Sequence, residues 1–106
     1  MSEGTRHEGF AQRVLLTVIA EGVIEERLLA DLRRWGVHAL TVSRVEGDPF
    51  GSRVADVAGA FVRMECVVPE AVSTRVLEGL ADAYFDRYKV IAYDHPVRVV
   101  RRDKFT

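Results

Sequence analysis

Cysteine is almost absent from this chain: Cys66 is the only one in 106 residues, which excludes an internal disulfide and a cysteine-rich metal knuckle. Long apolar runs are missing as well. The longest, Val14 to Ala20 with Thr17 inside it, is far short of the roughly 20 residues that a membrane-spanning helix needs. No basic, apolar and small-residue succession marks an export signal. Neither charge sign is in excess: 15 Lys and Arg against 16 Asp and Glu leave a formal net charge of −1, so nothing points to a nucleic-acid partner. The three histidines, His7, His38 and His95, are spaced by 31 and 57 residues and form no local metal motif with Cys66. Asp82, Asp86 and Asp94 have no accompanying His or Ser nucleophile arrangement and read as solvated charges. These absences leave a single cytoplasmic domain, at most peripheral to a membrane and without catalytic or metal residues. Its composition, 48% apolar and 29% charged, is that of an ordinary globular protein.

The pattern along the chain supplies the fold. Residues Met1 to Ala11 are polar with no apolar period and predict a flexible tail, leaving residues 12–106 as the domain. Val14 to Ala20 predicts a central strand. From Val23 to Trp35, Ile24, Leu28, Leu32 and Trp35 recur at spacings of four, four and three, an amphipathic helix stopped by Gly36. Val37 to Glu46 alternates and predicts a second strand. Ala60 to Val68 predicts a third, with Val62, Met64, Cys66 and Val68 on one face and Phe61, Arg63, Glu65 and Val67 on the other. Cys66 is then a packed small apolar side chain. A second helix begins after Pro69 and runs to about Phe85. Lys89 to Tyr93 and Val97 to Arg101, split by Asp94, His95 and Pro96, predict a fourth strand and a short terminal one.

The order β-α-β-β-α-β is that of α+β ferredoxin-like folds. Both helices cover one sheet face. The other face carries Thr41, Ser43, Arg63 and Glu65 beside Phe61 and Val67, a mixed surface suited to self-association.

Four segments carry a family resemblance. "GVHALTVSRVEG", residues 36–47, resembles the strand that leads into the T-loop of PII signal-transduction proteins, and "ECVVPEA", residues 65–71, resembles the strand and helix start that follow that loop. Many PII proteins carry a Gly-Asp-Gly-Lys phosphate loop before the fourth strand. Here the corresponding run, "YFDRYKVIAY" at residues 84–93, has no glycine, and the T-loop, at about residues 47–58, is short and lacks a tyrosine for uridylylation. Both departures resemble the PII-like branch associated with bicarbonate transport and carboxysomes, as does the tail "RRDKF", residues 101–105, with Arg102 at a glycine position.

The resemblance implies a homotrimer that binds adenine nucleotide (ADP, AMP, ATP or cyclic AMP) in clefts between subunits, with bicarbonate as a second ligand. A nucleotide needs cationic donors, close backbone approach and an apolar slot. Thr41 and Gly47 match the family's ligand positions. Arg87 and Lys89 are the cations before the fourth strand, and Arg101, Arg102 and Lys104 those of the tail. Ser52 and Arg53 are the loop residues placed to fold over an anion. Tyr84, Phe85, Tyr88 and Tyr93 read as core and interface, with one of them free to stack on adenine. The expected function is a non-enzymatic sensor signalling through the T-loop to a bicarbonate transporter or carboxysome-related protein. The alternatives are a small ferredoxin-like hydrolase and a structural trimer of the metal-tolerance type.

Overall fold

The computed structural model describes residues 11–51 and 61–100. Most of the expected tail and T-loop, and the candidates Ser52, Arg53, Arg101, Arg102 and Lys104, lie outside the described residues. The elements are β1 (Ala11–Glu21), α1 (Glu25–Arg34), which a 3-10 turn at Gly22–Ile24 leads into, β2 (Thr41–Val45), β3 (Phe61–Val68), α2 (Glu70–Ala83) and β4 (Val90–Val99). They form one antiparallel sheet in the order β2-β3-β1-β4. This is the expected α+β arrangement, with β1 starting at Ala11.

The two sheet faces differ because the strand sequences alternate. Leu16, Val18 and Ala20 of β1 and Val62, Met64, Cys66 and Val68 of β3 are buried together with Ile24, Leu28 and Leu32 from the first helical segment and Val76 and Leu80 of α2. Burial of each large aliphatic side chain contributes about 1.5–3 kcal/mol, so this layer holds the helices to the sheet. On the helix-free face, Thr41, Glu65, Thr17 and Tyr93 form one cross-strand row, and Ser43, Arg63, Ile19 and Ile91 the next. Tyr93 and Ile91 are 49% and 40% exposed there, large apolar groups left in water by a single chain.

Three expected elements take a different form. The second strand does not begin at Val37, because α1 ends in a Schellman motif. Gly36 has φ +109°, its N–H bonds to the Arg33 carbonyl, and the Val37 N–H bonds to that of Leu32. Val37 is spent on the cap, and the strand starts at Thr41. The two expected C-terminal strands are one, β4, running through Asp94, His95 and Pro96 without a break. Pro96 is tolerated because β4 is an edge strand, where a missing N–H need not cost a ladder bond. Asp94 is also no idle solvated charge: it accepts a 2.5 Å hydrogen bond from the fully buried Ser73 hydroxyl of α2.

The helices meet at a glycine. A Cβ added at Gly79 of α2 would lie 2.5 Å from Cζ2 of Trp35. The indole therefore rests directly on the α2 backbone.

Candidate functional site

The described candidates gather unevenly. At one end of the sheet, Val45 pairs with Phe61 and Phe61 with Glu21. Glu21 in turn exchanges two hydrogen bonds with Lys89: the Lys89 amide donates to Oε2 at 2.6 Å, and the Glu21 amide donates to the Lys89 carbonyl at 3.2 Å. Gly47 follows Val45 at this end, with φ +112° and open space around the position a Cβ would take. It is a backbone that most residues cannot copy and that a ligand can approach closely. Arg87 and Lys89 occupy the same end and are exposed. Gly47 follows edge strand β2 and Lys89 precedes edge strand β4, with β3 and β1 between them. At about 4.8 Å per strand the two edges are roughly 14 Å apart.

Thr41 is not beside Gly47. It opens β2, exposed on the helix-free face opposite Glu65, while Gly47 lies beyond the strand's far end. Four residues of strand put Thr41 about 13 Å from Val45. The two candidates mark the ends of one exposed strand edge.

The start of the expected T-loop is anchored by a residue that the sequence did not single out. The Gly51 N–H bonds to the Asp48 carbonyl at 3.3 Å, closing a turn with Pro49 and Phe50 at its centre. The Phe50 ring packs on Phe61 of β3 with centroids 5.3 Å apart. A lone Phe between Pro and Gly carries no periodicity, so no sequence signal marks it as an anchor.

The run without glycine before β4 is a braced turn. The amides of Phe85, Arg87, Tyr88 and Lys89 all donate within the chain, to Leu80, Tyr84, Tyr84 and Glu21. The turn therefore cannot offer those amides as a phosphate cradle; it presents the side chains of Arg87 and Lys89 instead. Tyr84 is fully buried, and its hydroxyl donates to the carboxylate of Asp31 on α1. Burial, and then that carboxylate, push the Tyr84 phenol up to about 12, so it remains a proton donor at neutral pH. Tyr88 is half-buried, whereas Phe85 is 46% exposed. Cys66 has a thiol pushed up to about 11 by burial and faces the helices, away from any nucleophilic role.

An open recess of about 250 Å³, lined by Gln12, Arg13, Val14, Glu70, Asp94 and Pro96, lies at the other end of the sheet and contains none of the candidates. Its two carboxylates disfavour a phosphate. Among the described residues, no group of three or more His, Cys, Asp or Glu is placed to hold a metal, and no helix is long and apolar enough to cross a membrane.

Comparison with known proteins shows what the chain is similar to. The family model of nitrogen regulatory protein P-II matches residues 13–104. A solved structure of a PII-like signalling protein from Thermus thermophilus is 36% identical, with a TM-score of 0.78 over 92% of this chain and 98% of that one. CPII, a nitrogen regulatory PII-like protein from Thiomonas intermedia, is 26% identical, with a TM-score of 0.73 over 87% of this chain and 97% of that one; its structure is bound to ADP, AMP and bicarbonate. The GlnK–ATP complex of B. subtilis, 18% identical over 84% of this chain and 94% of that one, shares the fold at a TM-score of 0.56. No curated protein matches the chain.

Proposed function

The chain belongs to the nitrogen regulatory protein P-II family, and from that premise we propose that it is a non-enzymatic, cytoplasmic sensor that binds an adenine nucleotide between neighbouring copies of a homotrimer. The observation that carries this is the division of the candidate residues between opposite sheet edges. Thr41 and Gly47 flank the exposed edge of β2, and Arg87 and Lys89 lead into β4, about 14 Å away across two strands. A nucleotide laid along the outer edge of β2 faces away from its own chain's β4, so Arg87 and Lys89 reach it from another copy set against that edge. It lies along β2 between Thr41 and Gly47, its phosphates near Gly47. The partly apolar helix-free face, with Ile91 and Tyr93 exposed, favours burial between copies.

The relative from Thiomonas, bound to ADP, AMP and bicarbonate, supports ADP and AMP as ligands with bicarbonate as a second. Arg101, Arg102 and Lys104 add cations for phosphate or bicarbonate, since the planar guanidinium suits oxyanions. Ser52 and Arg53 close over the anion. Ligand then acts by binding the ordered T-loop better than the unordered one, the condition for any population shift. The output is to inorganic-carbon uptake or carboxysome machinery. Isothermal titration of ADP, with light scattering for the oligomer, tests the site. A monomer, or a trimer that is silent to millimolar ADP and AMP, overturns it.

A further inference from the structure

We propose that Arg27 and Tyr84 are positioning residues for the ligand cations Arg87 and Lys89, forming with Asp31 a brace that replaces a glycine-built phosphate loop by a side-chain-built one. The inference rests on the nucleotide site proposed above.

Arg27 and Asp31 are four residues apart and share a face of α1. Asp31 accepts the buried Tyr84 hydroxyl. The Arg27 guanidinium lies 4.9 Å from the Tyr84 ring centroid and 5.8 Å from that of Tyr88, and Nη1 donates to the Tyr88 hydroxyl at 3.4 Å. The two tyrosine rings are 5.9 Å apart. One helical turn of α1 thus grips both ends of the five residues from Tyr84 to Tyr88, and Glu21 pins the next residue through the Lys89 amide.

The arrangement makes sense of the missing glycines. A glycine-rich loop binds phosphate through backbone amides, which need no further side-chain support. Here the amides of Phe85, Arg87, Tyr88 and Lys89 are already donated, so phosphate contact falls chiefly to two long, exposed side chains with many rotamers. Their reach is useful only if the turn that carries them is fixed. Arg27 is itself exposed, so its place over the two rings adds little to the core; its consequence is the geometry of the turn.

A double-mutant cycle on the full chain, read by titration of ADP, tests this. Arg27→Ala is expected to weaken ADP binding about tenfold in the native background and less than about threefold in an Arg87→Ala background, where one of the cations to be positioned is gone. Equal losses in both backgrounds would make Arg27 a direct contact and overturn the proposal, as would no loss in either. Hydrogen exchange without ligand reads the brace separately: Arg27→Ala should accelerate the Phe85 to Lys89 amides while those of β1 and β3 keep their protection. Unchanged exchange at the turn also overturns it. A native protein silent to ADP overturns the nucleotide site, and the brace's role toward a ligand with it.

Discussion

Replacing Tyr84 with Phe isolates one hydroxyl whose loss has a calculable cost and a distinctive pH signature. The side chain is fully buried, so no water takes the place of its Asp31 partner. Asp31 keeps a second partner, Arg34, at 2.8 Å, and its own side chain is 16% exposed, so it is weakened rather than stranded. Hydrogen bonds to charged groups contribute about 1.5–3 kcal/mol; with Arg34 still in place the lower end applies, about 1.5 kcal/mol. For a chain of this size that is a fall in Tm of roughly 6–12 °C. The pH dependence follows from the phenol, which burial and Asp31 push up from 10.0 to about 12. A folded-state value above the unfolded one means that this stabilisation is intact below pH 10 and is lost as pH rises toward 12. Urea unfolding at pH 8 and pH 11, at one protein concentration because association shifts apparent stability, measures both. The difference between native and Tyr84→Phe proteins should be about 1.5 kcal/mol at pH 8 and clearly smaller at pH 11. Cys66 also destabilises the fold in alkali, but equally in both proteins, so it cancels. Equal stability at pH 8, or a difference that does not change with pH, would refute the role assigned to the hydroxyl.

Gly79→Ala should destabilise despite its better helix propensity. The gain of about 1 kcal/mol is set against an overpacking cost of about 1–3 kcal/mol from a Cβ 2.5 Å from the Trp35 ring, and a thermal melt that rises would show that the ring yields freely. Cys66, 7% exposed and with its thiol pushed up to about 11, should react with Ellman's reagent at pH 8 only on unfolding; rapid labelling of the native protein would contradict its burial. Arg87→Ala and Lys89→Ala should each weaken ADP binding by about 5- to 30-fold, with the loss reduced at high salt. An affinity unmoved by both would remove the turn from the site.

Much of this was legible in the sequence, and what was not has identifiable causes. The alternation of Phe61 to Val68 and the period of Ile24, Leu28 and Leu32 reveal their buried faces because each pattern is local. The start of β2 was hidden because Gly36 signals a stop without saying that the Val37 amide is consumed by the cap. The continuity of β4 was hidden because Pro96 breaks most strands, and whether a strand lies at an edge is a property of the whole sheet. At the candidate site, Thr41, Gly47, Arg87 and Lys89 were proposed by resemblance. Their division between two edges required the strand order. Arg27 and Asp31 lie more than 50 residues from the tyrosines they hold, at separations of 61 for Arg27 to Tyr88 and 53 for Asp31 to Tyr84. No motif spans such a distance. The sequence showed that the glycines were gone, and the fold supplied the brace.

The central claim, nucleotide binding shared between copies, is tested most directly by mixing two defective variants. Gly47→Val is strained by its positive φ and disables the β2 side of a cleft, while a double Arg87→Ala, Lys89→Ala variant disables the β4 side. Each homotrimer should bind ADP poorly. When the two are unfolded together and reassembled, mixed trimers should regain native-affinity sites, because some clefts receive an intact β2 edge from one chain and an intact turn from the other. Calorimetry that finds high-affinity ADP sites in the mixture but in neither parent is the predicted result; a mixture no better than its parents would place both halves of the site within one chain and contradict the account.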